Sequence, residues 1–161
     1  MQAIADMPEA ALRGSLGALP NAYRDWIAAQ RARIDKPDPE LVPYLETARI
    51  AMERCEEACG RIEAGIALLF ADPNALAAFR FANRAMALQR VHASFAEARR
   101  AGRGVELADF DVPGNRSWRP FQLAFLLLSI PSLADPKHSD RTSPAEAFAD
   151  LLWFPTGGGK T

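Results

Sequence analysis

The sequence predicts a mainly α-helical body of long antiparallel helices that ends in one short strand and a glycine-rich loop. Three observations carry that expectation. Apolar residues recur at helical spacing through most of the chain. Prolines and glycines break that spacing at a few defined places. The last residues, DLLWFPTGGGKT, change character to an apolar run followed by Thr-Gly-Gly-Gly-Lys-Thr. Two regions are expected, a helical region over residues 1–100 and, over residues 101–161, a linker, a short helix and the closing strand with its loop.

The first helix is expected over residues 20–35, because Tyr23, Trp26, Ile27, Gln30 and Ile34 share one helix face and Asn21 follows Pro20 as a possible N-cap. The strongest pattern comes next. Leu41, Leu45, Ala48, Met52, Cys55, Cys59, Ile62, Ile66 and Leu69 alternate steps of four and three, which predicts a long helix over 40–70 with a narrow apolar seam. Pro43 falls in its first turn, where a missing N–H costs little.

Asp72-Pro73-Asn74 breaks the chain with turn chemistry, and a third helix is expected over 74–100. Phe81, Ala85, Leu88, His92 and Phe95 form its stripe, widened by Phe79, Ala82 and Met86. The small Ala82 and Ala85 predict a close antiparallel hairpin with the preceding helix. Residues 102–117 read as a loop, 118–130 as a short buried helix and 131–144, with its three prolines, as an exposed break. Leu151–Phe154 has the profile of a buried parallel strand.

Composition excludes several classes. A chain of 161 residues, 49% hydrophobic and 24% charged, is ordinary for a folded domain. A net charge of −1 supplies no basic field for nucleic acid, so any DNA contact would come from a local patch or from further sequence. The longest apolar run, residues 121–130, is about half of a membrane span, and the N-terminus is acidic before it is basic, unlike a signal peptide. No membrane partner and a cytoplasmic location are expected. Cys55 and Cys59 lie one turn apart in the seam, which predicts a reduced, buried thiol pair, the alternative being a metal half-site completed by His92 and His138. His92, on an apolar stripe without an adjacent nucleophile, reads as a core or edge histidine.

The closing loop carries the sharpest chemistry. Thr156 leads into Gly157, Gly158 and Gly159, which let backbone N–H groups approach phosphate without obstruction. In a Walker A loop, Lys160 would face the β- and γ-phosphates of ATP, and the Thr161 hydroxyl would ligate Mg²⁺. The general motif asks for glycine where this chain has Phe154.

Trp118-Arg-Pro-Phe-Gln122, upstream of that loop, resembles the arginine–aromatic–glutamine segment of superfamily 2 helicases, and FPTGGGKT resembles their version of the phosphate loop, in which Pro-Thr-Gly replaces the leading glycine. The resemblance implies that Gln122, with Arg119 beside it, meets the adenine of ATP. More narrowly, AFRFANRAMALQ (residues 78–89), WRPFQLAFLL (118–127) and DLLWFPTGGGKT are similar to segments of the large helicase subunit of DISARM, a bacterial anti-phage defence system. That likeness covers the last half of the chain, with residues 1–70 alike only in helical character. It implies a truncated RecA-like α/β domain at the end of this chain and an ATP-driven DNA helicase or translocase as its parent. It also implies DNA bound through later motor domains and the other DISARM subunits as partners. Without the acidic Walker B strand, the present polypeptide is expected to be inactive. Two alternatives stand beside it. One is a free-standing helical interaction module that uses the seam from Leu41 to Leu69 and carries an incidental glycine-rich tail; the other is a different P-loop NTPase, against which Gln122 argues.

Overall fold

The computed structural model describes residues 1–144 together with Asp150. Its helices are α1 (Gln2–Asp6), α2 (Glu9–Asp35), α3 (Leu45–Ala71), α4 (Pro73–Arg100), α5 (Pro120–Ala134) and α6 (Ser139–Thr142). Short 3₁₀ turns occupy Val42–Tyr44, Leu107–Phe110 and Pro113–Arg116. No strand occurs among the described residues, and the expected strand Leu151–Phe154 and loop Thr156–Thr161 lie outside them.

The first helix begins well before the expected Asn21 cap. α2 starts at Glu9 and runs through Pro20, which is buried inside it. An interior proline costs about 3 kcal/mol. Leu12 and Leu16, N-terminal to the proline, are both fully buried, and each such leucine contributes about 1.5–3 kcal/mol. Continuing the helix through Pro20 therefore outweighs breaking it. The signal missed was the apolar pair ahead of the proline.

The seam forms as expected, but two partners share it. α2 and α3 pack antiparallel, with Arg31 paired to Glu56 at 2.7 Å and Arg24 paired to Glu63 further along. Ile27, Ile34, Met52 and Cys59 form the core of that pairing. Towards its C-terminus α3 turns the rest of its apolar face to α5, where Ile62, Ile66 and Leu69 meet Leu127 and Ile130. The helices come closest at Gly65. A Cβ there would stand 1.9 Å from the Leu127 carbonyl oxygen, so only glycine permits the approach.

The expected α3–α4 hairpin is not formed. Asp72 caps α4 by accepting from the Asn74 N–H at 2.8 Å, Pro73 takes the first helical position, and the chain turns a 108° corner. α4 leaves the face of α3, which α2 and α5 already cover, and packs against α1 and the 3₁₀ turns. Its stripe shifts accordingly. Phe79, Asn83, Ala87, Val91 and Ala98 are buried, whereas Phe81 and Leu88 are 70% and 57% exposed, and Ala85 and His92 are exposed too. Phe95 keeps a partner in Phe110, edge to face at 6.2 Å. The expected stripe ran through Phe81 and Leu88; the structure instead turns the face with Phe79, Asn83, Ala87 and Val91 inward, Phe79 joining the core with Leu69, Leu127 and Ile130, while α4 also packs against α1 and the 3₁₀ turns.

α5 extends past the expected end at residue 130, through Pro131 to Ala134. It joins α2 and α3 to complete a three-helix slab.

Candidate functional site

The turn of α3 from Ala58 to Ile62 brings together two parts of the chain that the sequence keeps far apart. On one side it meets the start of α5, which carries the expected adenine-side residues. Ala58 and Ile62 share an apolar groove of about 480 Å³ with Tyr23 and Trp26 of α2 and Pro120 and Phe121 of α5. On the other side it holds Asp150, the last described residue before the expected phosphate loop.

Arg119 and Gln122 sit at the N-terminus of α5. Arg119 is its N-cap in extended conformation, and Pro120 is pre-shaped for the first helical position. The Arg119 N–H donates to Gln122 Oε1 at 3.0 Å, which is the reciprocal arm of a capping box. Gln122 therefore has a structural role that its sequence motif did not reveal. A carboxamide has two donor and two acceptor positions, and the cap engages one acceptor position. Trp118, just outside the helix, donates its indole Nε1–H to Asn83 Oδ1 at 2.7 Å, and Asn83 in turn donates to the Phe79 carbonyl at 2.9 Å. Asn83 is fully buried, so this pair fixes the approach to α5 against α4. Its sequence signal was weak, a lone asparagine among aromatic residues.

Asp150 is gripped in a two-pronged geometry. Arg61 Nη1 and Nη2 donate to its two carboxylate oxygens at 2.7 and 2.8 Å. Arg61 Nη2 also lies 3.3 Å from Asp140 in α6, so one guanidinium ties two points of the segment after α5 back to α3. The Arg61 hydrogen bond holds the Asp150 carboxyl below its usual range, against the opposing effect of partial burial. The same bond, offset in part by desolvation, holds Arg61 above its ordinary value. Sequence reading singled out neither Arg61 nor its aspartates, since a long-range ion pair leaves no local pattern.

Of the expected buried thiol pair, both cysteines are free, Cys55 is only half-buried and Cys59 is buried. Cys59 is buried in the α2–α3 core and donates to the Pro20 carbonyl at 3.6 Å, and burial pushes its thiol up. Tyr23 next to it is raised as well, first by desolvation and then by its bond to Cys55. His92 lies exposed on α4, while His138 Nδ1 accepts from the Asp140 N–H at 3.3 Å at the start of α6. Neither joins the cysteines, and no metal-holding cluster of histidine, cysteine and carboxylate groups occurs among the described residues. Nor, among them, is any single helix long and apolar enough to cross a membrane. The expected phosphate-side residues Thr156, Gly157, Gly158, Gly159, Lys160 and Thr161 lie outside the described residues.

A helical platform that presents a capped helix start and an aspartate held by an arginine of α3 is the class of structure these contacts define. No family model matches the chain. Over 148 residues, 91% of its length, it is 37% identical to DISARM protein DrmA from Bacillus paralicheniformis. The chain spans only 12% of that protein's length. The likeness reaches well into residues 1–70, further than the short segments of the last half on which the sequence resemblance rests.

Proposed function

We propose that this chain is the helical front part of an ATP-dependent DNA helicase or translocase that serves in DISARM anti-phage defence. In this reading, Thr156 to Thr161 cradle the phosphates of ATP, with Lys160 facing the β- and γ-phosphates and Thr161 holding Mg²⁺. Gln122 and Arg119 stand on the adenine side. DNA is engaged by motor domains beyond this sequence, and the other DISARM components are the protein partners. The observation that carries the reading is the phosphate-loop sequence at Thr156–Thr161, in a chain similar to a DISARM protein along almost all of its length. The helical body supports it in a particular way, by holding the start of α5 and Asp150 on one turn of α3.

The reading is tested by nucleotide hydrolysis of the full-length parent with and without DNA. Lys160→Ala removes the cation facing the phosphates and is expected to abolish DNA-stimulated hydrolysis while the helical body stays folded. Gln122→Glu keeps an acceptor for the α5 cap but removes the amide donors, so it is expected to relax the preference for adenine with little loss of thermal stability. The 161-residue chain alone, without a Walker B carboxylate, is expected not to hydrolyse ATP. Undiminished hydrolysis by the full-length Lys160→Ala variant would remove the role assigned to this loop.

A further inference from the structure

We propose that the exposed face of α4, from Phe81 to the arginines at its end, is a binding surface for single-stranded DNA on the helical body itself. This deepens the helicase reading above, which takes DNA through motor domains beyond this sequence, and rests on that reading for DNA as the ligand.

Charge comes first. Residues 73–103 hold Arg80, Arg84, Arg90, Arg99, Arg100 and Arg103 against one carboxylate, Glu97, although the whole chain carries a net charge of −1. A local excess of this kind is the electrostatic footprint of a phosphate-bearing partner. Among the described residues, only Arg84 of the six pairs with a carboxylate, that of Asp6 at 2.8 Å. Arg80 and Arg90 donate to backbone carbonyls, which are neutral and leave the positive charge in place. Arg99, Arg100 and Arg103 are exposed, and among the described residues none of the three side chains is engaged in an ion pair or a hydrogen bond.

The backbone gathers these three. Gly102 takes a left-handed φ of 74°, its N–H donates to the Arg99 carbonyl at 3.0 Å, and the Arg103 N–H donates to the Ala98 carbonyl at 3.1 Å. This Schellman closure folds Arg103 back against the last turn of α4 instead of letting the chain run on. Arginines in a last turn also suit the helix dipole, but that account asks for nothing elsewhere on the helix. Phe81 and Leu88 supply the second observation. Steps of four and three put Phe81, Ala85, Leu88 and His92 on one face, and Arg99, seven residues further on, continues it. All five are exposed, Phe81 to 70% and Leu88 to 57%, while Phe79, Asn83, Ala87 and Val91 are buried on the other side. Folding thus leaves an aromatic ring and an aliphatic side chain in water on the same stripe as the cations. From Phe81 to Arg99 the stripe runs about 27 Å, room for several nucleotides. Unpaired bases stack on an aromatic ring whatever their sequence while arginines hold their phosphates, so the combination suits a single strand better than a duplex, whose bases are already stacked.

The test is binding of the full-length protein, without ATP, to a fluorescein-labelled oligothymidylate, followed by fluorescence anisotropy over a range of salt concentrations. The Arg99→Ala/Arg100→Ala/Arg103→Ala variant should bind about tenfold more weakly and lose about two units from the slope of log affinity against log salt, since each phosphate contact to a single strand contributes about 0.7. Phe81→Ala should weaken binding about five- to a hundredfold with the slope unchanged. All four side chains are exposed, so both variants should melt close to wild type. The charge-matched control Arg33→Ala/Arg49→Ala/Arg54→Ala, on exposed positions of α2 and α3, should bind as wild type does. An equal loss of slope in the control would mean that DNA senses only overall charge, and would overturn the proposal. Unchanged DNA binding by both α4 variants would overturn it too, and would leave this face to an acidic protein segment. A protein that binds DNA through α4 but does not hydrolyse ATP would overturn the helicase reading and leave the surface standing; one that binds no DNA would overturn both.

Discussion

The slab formed by α2, α3 and α5 and the flank built on α4 are similar in helical content but differ in what holds them. The slab is joined by aliphatic side chains, with Leu12, Leu16, Ile62, Leu69 and Leu127 among its buried members, and by the backbone contact at Gly65. The α4 flank is held largely by side chains bonded to backbone carbonyls. Arg80 donates to the Ala5 and Met7 carbonyls at 3.0 and 2.7 Å, where α1 ends, and Arg90 donates to that of Asn115 at 2.9 Å. Asn83 links Trp118 to the helix itself. Burial of apolar area is non-directional and follows sequence periodicity, whereas a side chain that reaches a carbonyl depends on where the other backbone happens to pass.

The largest expected effect is in the slab. Ile62 is 3% exposed and packs among α2, α3 and α5. Ile62→Asp places a carboxylate where no partner is available and is expected to destabilise the fold by about 4 kcal/mol or more, measured by chemical denaturation. A midpoint equal to that of wild type would mean that the seam does not face the core.

Gly65→Ala comes next and probes the same slab through its backbone. Alanine favours a helix over glycine by about 1 kcal/mol, so on an open helix face it would stabilise. Here the added Cβ meets a backbone oxygen that cannot rotate away, and forcing α3 and α5 apart is expected to cost about 1–3 kcal/mol net. A stabilised Gly65→Ala variant would show that the two helices do not approach as closely as described.

Asn83→Ala tests the polar flank. It leaves the Trp118 indole N–H without its partner, for an expected loss of about 1–3 kcal/mol. The companion Trp118→Phe removes the other half of the pair. In a double-mutant cycle the two losses should not add, because each breaks the same bond. Full additivity would mean that Asn83 is buried for packing alone.

These two regions also divide what the sequence made legible. The seam from Leu41 to Leu69 was readable because its residues pack mainly into the apolar clusters shared with α2 and α5. The choice of partner was not: α3 pairs with α2 and α5 rather than α4, a matter of three-body competition that no single helix encodes. At the candidate site, Arg119 and Gln122 were singled out by a local motif, but the capping role of Gln122 appears only once α5 has a defined first turn. Arg61 and Asp150 were invisible because their relation spans α4, α5 and α6.

The smallest expected effect distinguishes the two registers of α4 most sharply. A stripe drawn through the largest apolar residues puts Phe81 and Leu88 in the core, and truncating a buried phenylalanine to alanine costs about 3–5 kcal/mol. The structure leaves Phe81 70% exposed and buries Val91 to 5% exposure. Phe81→Ala should therefore change stability by no more than about 0.5 kcal/mol, as a surface substitution does, with the better helix propensity of alanine opposing any lost contact. Val91→Ala removes far fewer atoms and yet should cost about 1–2 kcal/mol, because those atoms are out of water. The expected order is thus the reverse of side-chain size. Denaturation of the two variants side by side decides it: a Phe81→Ala loss larger than that of Val91→Ala would return α4 to the register of its large residues and would require a partner helix against that face.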